Sequence, residues 1–224
     1  MAPRPVVAII QARMGSTRLP GKVLADVAGK PLLAHMLERV SLARSLDAVW
    51  VATSEAAADD AIARLAEGAG VPVFRGSEAD VLGRFAGAAE AAGARTVVRL
   101  TADCPLLAPE VIDRVVAAFA EGGHDIATNT GADWRTYPDG MDVEVLSRST
   151  LDRMAATVVD PREREHVTAH LYRGGHSLRE VHLDRPLGDL RITVDTPQDL
   201  ALVSRVLSAR PGYALDDVLA CLGV

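Results

Sequence analysis

The chain has 224 residues, a formal net charge of −6 and a pI near 5.5, with 49% hydrophobic and 24% charged residues. This balance predicts a globular protein with one substantial core, which we assign to a single domain over residues 1–224. It excludes a general nucleic-acid binder, a membrane span and a disulfide framework, so we expect a cytoplasmic protein with small-molecule partners.

Short β-branched runs alternate with alanine-rich helical stretches, which predicts an α/β fold with a mostly parallel central sheet flanked by helices. The predicted strands are Val6–Gln11, Ala48–Thr53, Val71–Phe74, Thr96–Leu100, Asp125–Thr128, Met141–Val145 and Leu190–Val194. The predicted helices are Pro31–Ala43, Ala56–Gly68, Asp80–Ala92, Pro109–Glu121 and Pro197–Leu207. Residues 129–189 break the alternation, and we interpret them as an excursion from the sheet.

A loop rich in glycine and positive charge follows the first predicted strand. Its small residues and its cations are Gly15, Ser16, Gly21, Arg13, Arg18 and Lys22. Backbone N–H groups and cations of this kind bind phosphate, so the loop predicts a nucleotide triphosphate site. A Walker loop is excluded because five residues separate the glycines and Val23 follows the lysine, and no dinucleotide fingerprint is present. The alternative interpretation is a basic surface loop without a ligand.

Two aspartates follow predicted apolar strands. Asp103 and Asp195 should lie at the carboxyl edge of the sheet, where open α/β sheets bind ligands. Mg²⁺ takes oxygen ligands, usually with one or two carboxylates among them, so this pair predicts a magnesium site. The alternatives are a simple loop aspartate at position 103 and a helix N-cap at position 195, although Thr196 is an equally suitable cap.

Other polar residues have two interpretations each. Arg99 ends a buried strand, where an arginine needs either a ligand or a structural ion pair. Asp142 and Glu144 share one face of a strand, directed either into a ligand pocket or toward solvent. His166 and His170 are four residues apart but lack the H-E-x-x-H context, so we predict no zinc site.

Six motifs follow one another along nearly the whole chain, at residues 11–22, 76–82, 99–106, 137–144, 164–168 and 194–200. They begin with Gln-Ala-Arg and end with Val-Asp-Thr-Pro-Gln-Asp-Leu. In this order the motifs resemble those of cytidylyltransferases of the CMP-KDO synthetase and spore-coat polysaccharide biosynthesis protein F type, which activate sugar acids or related molecules with CTP. One departure is Gly83, where the family commonly has an aspartate.

The resemblance implies a Rossmann-like nucleotidyltransferase fold of the glycosyltransferase-A type, with CMP transferred from CTP to an acceptor hydroxyl and pyrophosphate released. It implies catalytic roles for Arg13, Lys22, Asp103 and Asp195, with Mg²⁺ on the two aspartates. The implied nucleotide-binding residues are Ala12, Arg13, Gly15, Ser16, Arg18, Lys22, Ser77, Arg99 and Asp103. Acceptor contacts are predicted for Tyr137, Asp142, Glu144, Arg164, Glu165 and His166.

The resemblance also implies a small anionic or polyol acceptor and a homodimer, with residues 129–189 forming the acceptor side and the dimer contact. Two alternatives keep the nucleotide site. One is glycosyl transfer from a nucleotide sugar, which has less need of the triphosphate loop between Arg13 and Lys22. The other is nucleotide binding without turnover, which the presence of both Asp103 and Asp195 disfavours.

Overall fold

A computed structural model describes residues 1–131 and 135–224. Its strands are β1 (Val6–Gln11), β2 (Asp26–Val27), β3 (Lys30–Pro31), β4 (Ala48–Ser54), β5 (Val73–Gly76), β6 (Thr96–Thr101), β7 (Ile126–Thr128), β8 (Glu144–Ser147) and β9 (Leu178–Glu180). Its α-helices are α1 (Leu32–Val40), α2 (Asp60–Gly68), α3 (Val81–Ala91), α4 (Pro109–Phe119), α5 (Arg148–Thr157), α6 (Pro161–Glu165), α7 (Pro197–Ser208) and α8 (Leu215–Leu222).

Within the described residues, seven strands form one sheet in the order β5-β4-β1-β6-β8-β7-β9. Strands β5, β4, β1 and β6 are parallel, while β8 runs antiparallel to both of its neighbours, β6 and β7. The outer strand β9 pairs in parallel with β7. The predicted α/β fold with a mostly parallel central sheet is therefore confirmed.

Each face of the sheet carries its own apolar core. Along β1, the side chains of Val6, Ala8 and Ile10 pack into one core with α1, α4 and α7. Val7 and Ile9 face the opposite side, where α3 and α5 cover the sheet. A central parallel strand buried on both faces needs apolar residues at every position, which explains the uninterrupted hydrophobic run of β1.

The predicted strand Leu190–Val194 is wrong. This segment is extended and its Ile192 and Val194 are buried, but within the described residues it makes only an isolated bridge, between Asp139 and Arg191. Its backbone bonds go to two different loops, because Ile192 N–H donates to Asp139 at 2.7 Å and Val194 N–H donates to Asp103 at 2.9 Å. The apolar pattern of this segment therefore reflects its burial, and within the described part of the chain the segment does not pair with a strand of the sheet.

Residues 129–189 contribute directly to the main sheet. They supply β8 and β9, together with the helices α5 and α6. The sequence analysis did not predict β9, α5, α6 or α8, and it placed β8 three residues too early. Positions 132–134 of this segment lie outside the described residues. None of the helices in the described part of the chain combines the length and the apolar character that a membrane crossing requires.

Candidate active site

A cavity of about 300 Å³ lies where β1 and β6 end. Nine predicted site residues line it, namely Ala12, Arg13, Ser16, Arg18, Lys22, Asp103, Glu165, His166 and Asp195. Seven predicted residues are not among its lining residues, namely Gly15, Ser77, Arg99, Tyr137, Asp142, Glu144 and Arg164. The structure thus brings together all four residues predicted to be catalytic, but only part of the predicted acceptor side.

Local hydrogen bonds give the loop after β1 its shape. The Met14 N–H donates to the Asp59 carboxylate at 2.7 Å, and the Met14 carbonyl accepts from Gly21 N–H at 3.0 Å. Gly21 has φ 72°, a left-handed conformation in which a side chain would be strained. Directly after it, Lys22 begins a single 3₁₀ turn and is only 8% exposed.

The ammonium group of Lys22 joins the two predicted catalytic carboxylates. Its Nζ donates to Asp103 Oδ2 at 2.9 Å and to Asp195 Oδ1 at 2.9 Å. A third bond, of 2.7 Å, goes to the Val194 carbonyl. All three N–H donors of the lysine are therefore used, and one cation contacts both carboxylates.

Backbone contacts bring the two aspartates together from distant parts of the chain. The Ala102 N–H donates to the Gln11 carbonyl at 3.0 Å, which continues the β1–β6 ladder to the residue before Asp103. The Asp103 carbonyl accepts from Val194 N–H at 2.9 Å, directly ahead of Asp195. The carboxylates therefore project from two backbone segments that are hydrogen-bonded to each other.

Asp195 is not the cap of the following helix. Thr196 is the N-cap of α7, and its side chain accepts from Asp199 N–H at 3.2 Å. The Asp199 carboxylate completes a capping box by accepting from Thr196 N–H at 2.8 Å. The carboxylate of Asp195 is left to face the cavity.

Burial and close charges shift the pKa values at this centre. Burial raises the pKa of Asp195, but hydrogen bonding and charge from Lys22, followed by the charge of Arg18, outweigh burial and hold it below its usual range. Burial lowers the pKa of Lys22, but Asp103 and the hydrogen bonds to both carboxylates raise it overall. The ion pair is therefore charged on both sides at neutral pH.

The donor set fits a hard divalent cation. Asp103 and Asp195 offer carboxylate oxygens that a single cation already contacts, and Mg²⁺ usually completes its octahedron with water and phosphate. Among the described residues, no cluster of three or more His, Cys, Asp or Glu side chains has the arrangement of a metal site. His170 pairs instead with Glu163, at 2.9 Å.

Further arginines line the cavity beside Lys22. Arg18 contacts Asp195 at 2.8 Å, and Arg13 contacts Glu165 at 3.3 Å across the cavity. Arg84, which the sequence analysis did not select, also lines the cavity and is 2% exposed. Its Nε lacks a hydrogen-bond partner among the described residues, as does the Oε1 atom of Gln11. Unpaired buried polar atoms of this kind point to a polar ligand.

The sequence carries a signal for Arg84. It follows Val81 by three positions and precedes Ala88 by four, so it lies on the apolar face of α3. A charged residue on a buried helix face needs a partner. Because Arg84 lines the cavity at the end of β1, a bound ligand would be one such partner.

Arg99 and Glu144 form an internal ion pair. The Glu144 carboxylate also accepts from Thr168 at 2.8 Å and from Tyr172 at 2.6 Å. Glu144 is 4% exposed and lies in β8, while Asp142 precedes that strand and pairs with Arg135. The structural alternative therefore accounts for the contacts of Glu144, whereas the Nε atom of Arg99 has no hydrogen-bond partner among the described residues and its nucleotide-binding role stays a prediction.

Tyr137 and Arg164 are also held by the protein itself. Tyr137 is fully buried, and its hydroxyl accepts from Arg114 at 2.9 Å. Arg164 donates to both oxygens of Asp80, at 2.9 and 2.7 Å, and to the carbonyls of Ala155 and Val158. Neither side chain lines the cavity, and an acceptor contact at either residue stays a prediction. The exposed Ser77 contributes its carbonyl to Arg84 at 2.9 Å.

Of the residues predicted to contact the acceptor, Glu165 and His166 line the cavity, and both are exposed. The next residue, Val167, is buried with φ 55°. A left-handed conformation is costly for a β-branched residue and persists only where its surroundings enforce it. This turn directs the backbone away from the cavity directly after His166.

Comparison with known proteins agrees with the fold. The model of the cytidylyltransferase family matches residues 7–182. The chain is 31% identical over 229 residues to spore coat polysaccharide biosynthesis protein SpsF of Bacillus subtilis, covering 97% of this chain and 93% of that protein. It is 47% identical over 128 residues to 3-deoxy-manno-octulosonate cytidylyltransferase of Anaeromyxobacter dehalogenans, covering 56% of this chain and 51% of the relative.

A solved cytidylyltransferase from Leptospira borgpetersenii superposes with a TM-score of 0.92 at 32% identity, covering 98% of this chain and 94% of that one. The matched family region contains β1, the basic loop and Asp103. Sequence and fold thus agree, and the chain belongs to the cytidylyltransferase family.

Proposed function

We propose that the protein transfers CMP from CTP to a hydroxyl group of a sugar acid or a related anionic or polyol acceptor, in a magnesium-dependent reaction. The observation that carries this proposal is the contact of Lys22 with both Asp103 and Asp195 inside the basic cavity. The named relatives are a 3-deoxy-manno-octulosonate cytidylyltransferase and a spore coat polysaccharide biosynthesis protein, which supports a sugar-derived acceptor.

The residues of the cavity have complementary roles in this proposal. Arg13 and Arg18 hold the triphosphate, and Lys22 joins them when its ammonium group leaves Asp103 and Asp195, with the small residue Ser16 allowing close approach of the phosphates. Asp103 and Asp195 would hold Mg²⁺, which when bound supplies positive charge against the phosphate oxygens. Arg84 lies at the wall formed by α3, while Glu165 and His166 face the acceptor.

The reaction requires one displacement at phosphorus. The acceptor oxygen attacks the α-phosphorus of CTP, and the bond from that phosphorus to the oxygen shared with the β-phosphorus breaks. Pyrophosphate carries away the electron pair of that bond, and the acceptor hydroxyl loses its proton to solvent. The cations at Arg13, Arg18 and Lys22 stabilise the charge that develops on the leaving group, which is why positioning and electrostatics supply most of the rate.

Pyrophosphate release tests the proposal directly. The protein is incubated with CTP, Mg²⁺ and a panel of 2-keto sugar acids, neutral sugars and polyols, and UTP and GTP replace CTP in parallel. Release with CTP on one acceptor class is expected. CTP binding without release on any acceptor would favour a binding protein, and release with UTP or GTP in preference to CTP would contradict the base assignment.

Two lysine variants test whether the activity depends on the cavity. Lys22→Met should lower the rate by about 100-fold or more, since a preorganised cation is lost. Lys30→Met removes an exposed lysine whose one ion pair within the described part of the chain is with Glu38, and it serves as the matched control. Equal rates in the two variants would show that the cavity is not the active site.

We further propose a cytoplasmic homodimer with its contact in residues 129–189, as the family resemblance implies. Cys104 and Cys221 are free thiols, which supports a reducing compartment. Light scattering gives the oligomeric state, and a monomer at working concentration would contradict the dimer.

A further inference from the structure

We propose that Arg191 is a positioning residue that orients the carboxylate of Asp195 for metal binding and ties it to Asp139. The inference rests on the proposed function in one respect, because it takes Asp103 and Asp195 as the metal-binding pair. Arg191 does not line the cavity, and no motif of the sequence analysis selected it.

The guanidinium group of Arg191 spans two carboxylates. One terminal nitrogen donates to Asp195 Oδ2 and the other donates to Asp139 Oδ2. Its Nε lies 3.8 Å from Asp199 Oδ1, at the start of α7. Because the guanidinium is planar and rigid, it fixes the position of one carboxylate relative to the other, which a lysine cannot do.

Asp139 is itself fixed to the segment that leads to Asp195. Its second oxygen accepts from the Thr193 hydroxyl at 2.6 Å. Its backbone N–H donates to the Leu190 carbonyl at 2.8 Å, and its carbonyl accepts from Ile192 N–H at 2.7 Å. Asp139, which accepts the second hydrogen bond of the Arg191 bridge, is therefore held in a fixed position.

The next residue, Gly140, shows how closely these segments approach each other. It has φ 116°, and a Cβ atom there would lie 2.8 Å from the Thr193 backbone nitrogen. No side chain fits at this contact. The turn at 137–140 therefore packs directly on the backbone of residues 192–193, which leaves Asp139 little freedom to move.

The two arginines on Asp195 differ in how firmly they are held. Arg18 contacts Oδ2 at 2.8 Å, but it is 63% exposed and lies on the loop assigned to the phosphates. When Arg18 turns to a triphosphate, Arg191 keeps Oδ2 occupied, so that Oδ1 stays directed at the position now held by the Lys22 ammonium. Partners behind a metal-binding carboxylate typically contribute 10- to 100-fold to metal affinity or activity.

Simple electrostatics predicts the opposite effect of removing this arginine. Loss of a positive charge beside a cation site strengthens cation binding through Coulomb interaction. A positioning role predicts weaker binding, because the freed carboxylate rotates. The sign of the change therefore distinguishes the two explanations.

The test measures binding of Mn²⁺ to the full chain by electron paramagnetic resonance, with no nucleotide present, both in the wild-type background and in Arg18→Met, which leaves Arg191 as the arginine on Asp195 Oδ2. Mn²⁺ is suitable because carboxylate and water sites accept it in place of Mg²⁺. Arg191→Met is expected to weaken Mn²⁺ binding by about 10-fold or more, and Arg191→Lys should recover only part of the loss. Asp139→Asn, which releases the far end of the bridge, should weaken binding in the same direction.

Arg205→Met is the matched control, because Arg205 lies on α7 and its exposed side chain makes no hydrogen bond or ion pair with the described residues. Its Mn²⁺ affinity should equal that of the wild type, and urea unfolding verifies that all variants fold. Unchanged or tighter binding in Arg191→Met would overturn the positioning role alone. Absence of Mn²⁺ binding to the wild type, or full binding to Asp195→Asn, would overturn the proposed metal site as well.

Discussion

The Lys22 ammonium lies 2.9 Å from the Asp195 carboxylate, although 173 positions separate the two residues in the chain. The pair is largely buried, with side-chain exposures of 9% and 13%. It joins the loop after β1 to the start of α7 across the cavity. The same contact that prepares the cavity for a cation therefore holds two distant segments of the fold together.

This pair should give stability a defined pH window. The depressed pKa of Asp195 contributes stability above the ordinary value of 3.8, which is lost as pH falls through its folded-state pKa. The raised pKa of Lys22 contributes stability below 10.5, which is lost as pH rises through its own folded-state pKa. The free energy of unfolding, measured in urea from about pH 3 to pH 7, should fall less steeply on acidification in Lys22→Met than in the wild type.

The reason is that Asp195 loses its largest favourable partner in that variant, so its pKa moves back toward the unfolded value. Lys30→Met should keep the wild-type slope, because its pair with Glu38 is exposed. A wild-type acid slope in Lys22→Met would show that this ion pair does not control the titration.

The buried pair of Glu144 with Arg99 should be structural. Glu144→Gln leaves a largely buried arginine without a counter-charge, which is expected to lower the free energy of unfolding by about 3 kcal/mol. Asp142→Asn, whose side chain is 32% exposed, should cost less than about 1 kcal/mol. Urea unfolding compares the two variants. A rise in the KM of the acceptor in Glu144→Gln without loss of stability would restore its predicted acceptor role.

Arg164 should stabilise the junction between α3 and α6. Arg164→Met removes both bonds to Asp80 and leaves the carbonyls of Ala155 and Val158 without this donor, at an expected cost of about 1–2 kcal/mol after allowance for partial exposure. The neighbouring Arg162→Met is the control, since that exposed side chain has no bond to the described residues. Thermal and urea unfolding are measured for both. Equal stability of the two variants would contradict the structural role.

Gly87 should be required for the packing of α3 on β5. A Cβ atom at this position would lie 2.3 Å from the Phe74 ring, so Gly87→Ala is expected to lower stability by about 1–3 kcal/mol. Gly68→Ala is the control because its Cβ meets no atom within 4 Å, and the helix propensity of alanine should raise stability there by about 0.5–1 kcal/mol. A gain of stability in both variants would mean that the ring moves aside at little cost.

The elements that the sequence predicted well are those with local signals. β1 is an apolar run that ends at Gln11, β4 and β6 contain shorter apolar runs, and α7 begins with Thr196, Pro197 and Asp199, which are strong helix-start residues. Asp195 was placed at the sheet edge through a strand that the structure does not contain, but the basic loop and Asp103 were found because strand ends in such sheets meet at one edge. Local patterns were sufficient for this part of the cavity.

The sequence was less informative where contacts between residues far apart in the chain decide the local structure. Tyr137 belongs to a Pro-Asp-Gly turn, and only its contact with Arg114 of α4 reveals that it is buried. The segment 190–194 has the apolar alternation of a strand, yet its hydrogen bonds go to the separate loops that contain Asp103 and Asp139. Arg191 shows the same difficulty, because nothing near it in sequence indicates that it bridges two carboxylates.

At the start of α7, the capping of the helix and the lining of the cavity depend on different residues. Thr196 and Asp199 secure the first turn of the helix, while the adjacent Asp195 faces the cavity. The helix start is therefore secured by side chains that do not line the cavity, so a substitution at Thr196 or Asp199 acts on the helix without removing a carboxylate from the cavity.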